Sequence, residues 1–479
     1  LDSPEVVVIS PSCAAILNID TDSLSRPETI AVLSGNATLP NTQSLAMKYT
    51  GHQFGYYNPD LGDGRGLLLA EVQSKTRGLW DLHLKGAGLT PFSRQGDGRA
   101  VLRSSIREFL GSEAMVALGI PTSRALCVLN SKTPVYRETK ETGASLLRVT
   151  QTHIRFGHFE FAYHSGDPSL LKTLCDYTIK RHYPCMAGNA QQYADFFKVT
   201  AKKTANLIAK WQAFGFAHGV MNTDNMSILG LTIDYGPYGW LDNYDPDWTP
   251  NTTDREQRRY RFGNQPQIAA WNLTQLANAI YPLIEQVEPL QAGMDLYSRT
   301  FMDGYQQMMV EKLGLQVFEP ETDKALQDDL LAVLVLAETD MTLFYRCLAN
   351  ISTDESLSDE QLMAELQTVY YQPEQLTDRV KAQTVAWLRR YIDRVQQDKT
   401  DDADRKQAMN RVNPKYIFRN YLAQLAIDKA EQGDHSMIQA LLEVLCHPYD
   451  EQPEYQAWAE KRPDWARTKA GCSMLSCSS

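Results

Sequence analysis

The chain changes character part-way along its length, and this change limits the folds that it can adopt. Up to about residue 160 the sequence is rich in glycine and turn residues, and its short apolar runs are typical of strands. Beyond about residue 190 nearly all of it has the apolar spacing of helices. Strands followed by helices predict an α+β fold, in which a small β-rich lobe with one main helix leans on a large, extended helical lobe.

This pattern also predicts the organisation of the chain. We expect an N-terminal extension and the β-rich lobe in residues 1–160, the helical lobe in 161–398, and a C-terminal helical extension with a Cys-Ser-Ser tail in 399–479. The first residues of the last part, 399–413, are expected to form a charged connector. The predicted helices span residues 191–216, 268–288, 293–313, 322–348, 359–370, 376–398, 414–430 and 435–446.

Two strands of the first part, at residues 67–72 and 79–85, flank a predicted hairpin loop at 74–78. In the second strand apolar and polar residues alternate. Because successive side chains of a strand point to opposite faces, Lys85 is expected on the polar face, toward a cleft rather than the core.

The main helix of the first part is expected to begin near residue 104. Apolar residues recur there at helical spacing, with Ser104 or Ser105 as the N-cap and Gly119-Ile-Pro121 as the stop. Two further strands are predicted at residues 124–129 and 144–150.

Composition argues against several classes of partner. The formal net charge of −11 and the pI of about 5.4 disfavour nucleic acid and anionic membrane surfaces. The longest apolar run, Leu330–Ala337, is far too short to span a bilayer. The eight cysteines are scattered and show no zinc-type pairing, which indicates a reducing compartment.

Two short segments of the second part suggest the chemistry. His218-Gly-Val-Met-Asn-Thr-Asp-Asn225 is followed by Asp234-Tyr-Gly236. Protein kinases carry a catalytic His-Arg-Asp segment with a metal-binding Asn at the same spacing, and then Asp-Phe-Gly with a second metal ligand. In that frame the position of the catalytic base holds Val220, which cannot accept a proton. Either segment alone is better explained as an Asp/Asn-rich turn before a strand.

The order of other residues along the chain strengthens the kinase-like interpretation. Gly62-Asp-Gly-Arg-Gly66 precedes a strand, where a flexible backbone lets N–H groups approach phosphate. Lys85 ends a strand as the kinase lysine does, and Glu108 lies on the helix that supplies its ion-pair partner. Taken singly, these residues are a turn, a solvated lysine and a surface glutamate. Taken in order, they favour a nucleotide site.

Two arginines lie where a kinase chain approaches the neutral adenine. Arg148 is in the apolar strand Ser145–Val149, and Arg155 follows in His153–Gly157. A buried guanidinium needs an anion, which is either a local carboxylate such as Glu160 or a phosphate. If it is a phosphate, the nucleotide lies reversed, with the γ-phosphate inward. The α-phosphate then faces the metal site and the protein substrate.

Further segments complete a specific pattern over most of the chain. They are Tyr49-Thr-Gly-His-Gln-Phe-Gly55, Leu61-Gly-Asp-Gly-Arg65, Leu84-Lys-Gly-Ala-Gly88, Pro91-Phe-Ser-Arg-Gln-Gly-Asp-Gly-Arg99, Ser105-Ile-Arg-Glu-Phe-Leu110, Thr152-His-Ile-Arg-Phe-Gly-His158, Ile233-Asp-Tyr-Gly-Pro237 and Cys477-Ser-Ser479. With them the chain resembles the selenoprotein O (SelO) family of pseudokinases. That resemblance implies a kinase-like bilobal fold and transfer of AMP from an inverted ATP to protein hydroxyls.

The resemblance implies a role for each matching residue. Arg148 and Arg155 would clamp the inward γ-phosphate, and Asp224 would be the proton acceptor that replaces the missing base. The residues expected at the phosphates or beside the nucleotide are Gly62, Gly64, Arg65, Lys85 with its partner Glu108, Asp97, Gly98 and Asp234. Asn225 and Asp234 would ligate Mg²⁺, which prefers such oxygen donors.

The C-terminal tail departs from the family pattern. The resemblance implies that the terminal Cys pairs with a Cys in the loop after the Asp-Tyr-Gly segment, but no Cys occurs from Gly239 to residue 260. Cys477 therefore lacks its expected partner. The replacements left open are Cys472 and a thiol of another protein, and a tail thiol without a role is the third interpretation. Redox gating is accordingly not expected.

We therefore expect a protein adenylyltransferase that uses ATP with Mg²⁺ (or Mn²⁺), modifies Ser, Thr or Tyr hydroxyls of proteins and releases pyrophosphate. Three alternatives stay open: UMP transfer from UTP with Mn²⁺, γ-phosphoryl transfer with Asp224 as a displaced base, and an inactive nucleotide-binding scaffold. We expect a monomer in the bacterial cytoplasm, or in mitochondria if the source is a eukaryote, because the family occurs in both and no transit peptide is visible.

Overall fold

The computed structural model describes residues 1–75, 78–354, 356–472 and 475–476. Its strands are β1 Glu5–Ile9, β2 Gly51–Gln53, β3 Tyr56–Asn58, β4 Gly66–Ser74, β5 Gly78–Lys85, β6 Ala100–Val101, β7 Arg124–Tyr136, β8 Lys140–Thr150, β9 Phe216–Ala217 and β10 Gly239–Trp240. The main sheet has the order β1-β7-β8-β5-β4, with β6 beside β8, and its neighbouring strands run antiparallel. Strands β2 and β3 form a separate hairpin, and β9 pairs with β10.

Helices occupy most of the remaining chain. They are α1 Pro11–Leu17, α2 Pro27–Leu33, α3 Leu102–Ala117, α4 Phe156–His164, α5 Pro168–His182, α6 Gln192–Ala213, α7 Gln265–Ile280, α8 Glu288–Lys312, α9 Pro320–Leu334, α10 Met341–Leu348, α11 Asp359–Glu365, α12 Asp378–Gln397, α13 Asp402–Val412, α14 Asn420–Ala430 and α15 Ser436–Cys446. The predicted combination of a small sheet and a large helical region is confirmed. Among the described residues, no helix combines the length and apolar character needed to cross a membrane.

The two faces of the main sheet pack against different helices. Leu84 and Leu147 point to one face and join a core with residues of α1 and α2. The opposite face, which carries Lys85 and Leu146, packs against α3. The period-two pattern of β5 therefore predicted the side of Lys85 correctly, since the apolar residues that alternate with it are buried on the far face.

Helix α3 is buried on nearly all sides, because the sheet covers one face and α14 and α15 cover the other. It begins two residues before the predicted start: Val101 is the N-cap, and the hydroxyls of Ser104 and Ser105 donate to the Val101 carbonyl oxygen at 3.1 and 3.0 Å. The prediction of a serine N-cap was therefore wrong. These serines lie inside the first turn, where their side chains bond back to the preceding backbone.

The helical region differs from the prediction at several places. Helix α7 ends at Ile280 rather than 288, α8 begins at Glu288 rather than 293, α11 ends at Glu365 rather than 370, and α4 and α5 were not among the predicted helices. The helix expected at 322–348 is two helices, α9 and α10, because Asp340 caps the second one by accepting from the Leu343 N–H at 3.0 Å. The connector expected at 399–413 contains α13, whose Arg405 and Met409 are buried. The high charge of this segment prevented its prediction as a helix. Most of its residues are charged or polar, and only a narrow face with Arg405 and Met409 packs inward.

One apolar core includes Val8, Ile106, Phe196 and Leu441, and it therefore joins residues from all three predicted parts of the chain. A second core is built largely from α8 to α12. The first core holds the sheet and α3 against α6 and α7, the two helices that flank residues 218–225. The domain boundaries at residues 160 and 398 and the kinase-like bilobal arrangement stay predictions.

Candidate active site

A cavity of about 620 Å³ lies where the start of β4 and the end of β5 meet the segment that follows β9. The predicted site residues that line it are Gly62, Gly64, Arg65, Lys85, Asp97, Gly98, Arg148, Asn225 and Asp234. Among the described residues that line the cavity, six are basic and three are acidic, in a chain whose formal net charge is −11. This local excess of positive charge suits a ligand with several negative charges.

Two glycine-rich loops form one wall of the cavity and pack against each other. The Ser93 hydroxyl donates to the Gly64 carbonyl oxygen at 2.5 Å, and the Thr90 hydroxyl donates to the Asp63 carbonyl oxygen at 2.7 Å. A Cβ on Gly64 would lie 2.9 Å from the carbonyl oxygen of Phe92, so this contact requires glycine. The repeated Gly-Asp-Gly-Arg sequence therefore marks two loops that share a wall.

Asp97 shapes the second of these loops. Its carboxylate accepts two hydrogen bonds from the Arg137 guanidinium, at 2.8 and 2.9 Å, and one from the Arg99 backbone N–H at 2.9 Å. Gly98 has a φ of +67°, and a Cβ there would lie 2.1 Å from the Gly88 carbonyl oxygen. These contacts fix the loop, while a direct contact of Asp97 or Gly98 with a nucleotide stays a prediction.

Lys85 and Arg148 converge on one buried carboxylate. Lys85 Nζ is paired with Glu108, and Arg148 donates from Nε to Glu108 Oε1 at 2.5 Å and from Nη2 to Oε2 at 3.1 Å. All three side chains are buried, so the interpretation as a solvated lysine and a surface glutamate is wrong. Burial alone would raise the pKa of Glu108, but Arg148 and Lys85 outweigh it and bring the pKa down to about 2.

Asp234 extends into the cavity from a left-handed backbone conformation. Its φ of +55° costs a non-glycine residue about 1–3 kcal/mol, and such strain is concentrated at functional sites. Its Oδ1 lies 3.0 Å from Arg148 Nη1, and its Oδ2 accepts from Arg155 Nη1. Burial raises the pKa of Asp234, but Arg155 and Arg148 lower it well below the usual range. Asp234 is therefore an ionised carboxylate held by two guanidinium groups.

Arg155 lies behind the cavity wall rather than on it. Besides Asp234, its Nη1 donates to the Asp224 carbonyl oxygen at 2.9 Å, so it ties the two aspartates together. Both arginines are paired with local carboxylates, Arg148 with Glu108 and Arg155 with Asp234, as the alternative to phosphate expected. The carboxylate named for that alternative was wrong, because Glu160 lies 3.2 Å from the His52 ring instead. A direct contact of Arg155 with the γ-phosphate stays a prediction.

His218 joins the two motif segments. Its Nδ1 accepts from the Val220 backbone N–H at 3.3 Å, which makes Nε2 the protonated nitrogen that donates to the Ile233 carbonyl oxygen at 2.8 Å. Burial lowers the pKa of this histidine, so the neutral form that both hydrogen bonds require is favoured. His218 therefore positions the segment before Asn225 against the segment before Asp234.

Asn225 and Asp234 fit a divalent cation that arrives with phosphate. Asn225 Nδ2 donates to the Val220 carbonyl oxygen at 2.9 Å, which leaves its amide oxygen available to a cation. Among the described residues, no group of three or more His, Cys, Asp and Glu side chains is arranged as a metal site. An ion here would therefore need further oxygens from phosphate or water, as Mg²⁺ commonly does. Asp234 would also have to release one guanidinium.

Asp224, the candidate proton acceptor, does not line the cavity. It is 7 % exposed, and its Oδ2 accepts from Gln53 Nε2 at 3.3 Å. Within the described part of the chain, its Oδ1 has no hydrogen-bond partner. Burial raises the pKa of Asp224 to about 7, although Arg155 and Gln53 act in the opposite direction. A carboxylate with a pKa near neutrality is suited to accept a proton.

Sequence reasoning missed other residues that line the cavity, including Asp63, His83 and Arg137. His83 Nε2 lies 3.0 Å from Asp63 Oδ2. Two signals could have found this pair: Asp63 lies within the first glycine motif, and His83 alternates with Lys85 along β5. Arg137 had no such signal, because it follows β7 well beyond the predicted strand end.

The chain matches one family of known proteins along most of its length. A family model described as "Protein adenylyltransferase SelO" matches residues 4–446. The chain belongs to the SelO family. "Protein nucleotidyltransferase YdiU" of Aromatoleum aromaticum is 49% identical to this SelO-family protein over 492 residues, which cover 100% of this chain and 92% of the relative. Proteins of the same name from Flavobacterium johnsoniae and Rhodopirellula baltica are each 48% identical, over 100% of this chain and 92% and 93% of theirs.

Two consequences follow for this SelO-family protein. The family predicted from the sequence is confirmed, and with it the prediction of a nucleotidyltransferase enzyme. The tail prediction is not tested, because Cys477 lies outside the described residues. Cys472, the alternative partner, is buried, and burial raises the pKa of its thiol to about 11.

Proposed function

We propose that this SelO-family protein transfers AMP from ATP to Ser, Thr or Tyr hydroxyls of other proteins and releases pyrophosphate. The proposal includes a kinase-like bilobal fold with ATP bound in the inverted orientation. It also includes Mg²⁺, with Mn²⁺ as a substitute, and a monomer in the bacterial cytoplasm.

The position of the buried cations carries the proposal. Lys85 and Arg148 are 4 % and 7 % exposed and lie at the enclosed end of the cavity, whereas Arg65 and Arg94 are exposed. A triphosphate would meet paired, desolvated cations at the enclosed end, and a neutral purine would find no partner there. This favours the γ-phosphate inward and the α-phosphate nearer Asn225 and Asp234.

In this orientation the reaction is an attack on the α-phosphorus. The acceptor hydroxyl oxygen forms the new P–O bond, the bond from the α-phosphorus to the bridging oxygen breaks, and pyrophosphate leaves with that electron pair. Asp224 takes the hydroxyl proton. Asn225 and Asp234 would hold the divalent cation, which neutralises negative charge on the phosphates when bound. Charge stabilisation and positioning contribute most of the rate in such transfers, so Asp234→Ala should be more damaging than Asp224→Ala.

Labelled ATP tests the transfer. The purified protein is incubated with casein as an acceptor and with ATP labelled on either the α- or the γ-phosphate. The proposal requires label from the α-phosphate on protein, with labelled pyrophosphate released from γ-labelled ATP. Label from the γ-phosphate on protein would instead establish phosphoryl transfer. The variant Asp234→Ala controls for label that is adsorbed rather than transferred.

The identity of the base is part of the proposal, because the names of the relatives state nucleotidyl transfer without naming the nucleotide. UMP transfer with Mn²⁺ is the alternative. Mass spectrometry of the modified casein distinguishes an adenylyl from a uridylyl increment when ATP and UTP compete at equal concentration. A scaffold without activity would give neither increment with either metal.

A further inference from the structure

The segment Tyr49–Gly55 has no role in the reaction described above, although it is one of the most specific segments of the sequence. It forms the start of the β2–β3 hairpin, in which Gln53 faces Tyr56 and Gly51 faces Asn58. The two turn residues, Phe54 and Gly55, have φ values of +51° and +89°, as a tight two-residue hairpin turn requires. The hairpin is therefore a defined element with a fixed register rather than an irregular loop.

This hairpin is attached to the segment that carries Asp224. The His52 backbone N–H donates to the Thr223 hydroxyl at 2.7 Å. The Phe54 backbone N–H donates to the Tyr260 hydroxyl at 2.8 Å, and that hydroxyl donates to Asn222 Oδ1 at 2.6 Å. Both residues that immediately precede Asp224 are thus bonded, directly or through Tyr260, to the hairpin.

Gly51 lets the hairpin approach the Asp224 carboxylate. A Cβ on Gly51 would lie 2.8 Å from Asp224 Oδ1 and 3.0 Å from its Cβ, closer than side chains tolerate. The hairpin therefore covers one side of the carboxylate at van der Waals distance. This close cover restricts the rotamers that Asp224 can adopt.

Gln53 supplies the specific contact. Its Nε2 donates to Asp224 Oδ2 at 3.3 Å, and its Oε1 accepts from Asn58 Nδ2 at 3.1 Å. Because Asn58 can only donate from that nitrogen, it fixes the Gln53 amide with the donor toward Asp224. Oδ2 is thus held by Gln53, while Oδ1, which is buried next to Gly51, has no hydrogen-bond partner among the described residues.

We propose that Gln53, oriented by Asn58, is a positioning residue that holds the Asp224 carboxylate in the rotamer from which it accepts the proton of the acceptor hydroxyl. The inference rests on the proposed function and adds to it a residue that positions the proposed proton acceptor. Gln53 is not among the described residues that line the cavity, and its side chain bonds to Asp224 and Asn58. Its effect should therefore appear in the chemical step and not in nucleotide binding.

The test measures AMP transfer from α-labelled ATP to casein by the full chain. Gln53→Leu removes the donor, and Gln53→Glu keeps the shape and the acceptor for Asn58 but places an oxygen against Asp224. Each should lower kcat about tenfold or more, the usual effect of losing a hydrogen bond to a charged group, with the KM for ATP unchanged. Asn58→Ala should lower kcat in the same direction by a smaller factor. Tyr56→Ala, at the exposed tip of the same hairpin, is the matched control and should leave both constants unchanged.

A double-mutant cycle separates positioning from general damage. In an Asp224→Asn background, Gln53→Leu should cause no further loss, because Gln53 acts through the Asp224 carboxylate. Losses that multiply, or a raised KM for ATP with kcat unchanged, would overturn the inference while leaving the proposed function intact. If wild type places no α-label on casein, both are overturned. Thermal melting of each variant identifies a folding defect. If Gln53→Leu has such a defect, the kinetic constants of Gln53→Glu, which preserves packing, are used to judge the inference.

Discussion

Glu108→Gln should destabilise the nucleotide-free protein strongly. Glu108 is the common partner of Lys85 and Arg148, and all three side chains are buried. The substitution keeps the volume and one acceptor oxygen but removes the carboxylate that pairs with Lys85, and it leaves Arg148 with Asp234 as its remaining counter-charge. Removing one partner of a buried ion pair costs about 3–5 kcal/mol, since the remaining charge is desolvated and unpaired. Urea unfolding at equilibrium, followed by circular dichroism, measures this loss.

A triphosphate should recover part of that loss. In the variant, the ligand supplies the negative charge that Glu108 no longer provides, so the stabilisation by ligand should exceed that of wild type. A tenfold gain in affinity adds about 1.4 kcal/mol to the free energy of unfolding at saturating ligand. The measurement is the same urea titration with and without a non-hydrolysable ATP analogue and Mg²⁺.

Glu113→Gln is the matched control on the same helix. Glu113 is as buried as Glu108 and is paired with Arg124 at 2.7 and 2.5 Å, and neither residue is among those that line the cavity. It should lose similar stability, but its stabilisation by the ATP analogue should equal that of wild type. If Glu108→Gln gained no more from the analogue than Glu113→Gln, Lys85 and Arg148 would not be the cations that receive the triphosphate.

Other contacts lead to further tests. Arg155→Gln should raise the affinity of the nucleotide-free protein for Mn²⁺, because Asp234 loses one of its two guanidinium partners; the paramagnetic resonance signal of free Mn²⁺ reports this, and an unchanged affinity contradicts it. Stability should fall as the pH drops from about 6.5 to about 4, because burial and Arg155 lower the pKa of His158 to about 4. In that window the unfolded chain binds a proton that the folded chain does not, at a cost of about 3 kcal/mol at most. His158→Asn, which can still accept from the Arg155 backbone N–H, should flatten this slope in urea titrations, and a slope equal to that of wild type would refute the assignment. Asp401→Ala should cost about 1 kcal/mol in the same assay, because Asp401 caps α13 by accepting from two backbone N–H groups, and no loss would show that the cap is dispensable.

The fold was predictable where one periodicity dominates. Strand β5 alternates apolar and polar residues, and its pairing with β4 as a hairpin is confirmed. The break between α9 and α10 was not predictable, because apolar spacing continues through it. Asp340 lies at the break and is held there by partners distant in sequence. It lies 3.0 Å from Arg419 Nη1 and accepts from the Tyr371 hydroxyl at 2.7 Å. Local pattern carries no information about such partners.

For the same reason, some residues of the site could be placed from the sequence and others could not. Lys85 and Glu108 could be paired in advance, because a strand end and the following helix meet in a known order. The position of Asp224 behind the cavity wall could not, because its cover is the β2–β3 hairpin, and Gln53 is 171 residues away in sequence. In the proposed reaction, Asp224 would accept the proton from a position behind the cavity wall, where Gln53 of the hairpin holds it. In that reaction, the approach of the acceptor hydroxyl to the Asp224 carboxylate would depend on the hairpin that covers it as well as on the nucleotide cavity. Transfer to the acceptor and ATP binding should therefore respond to different substitutions.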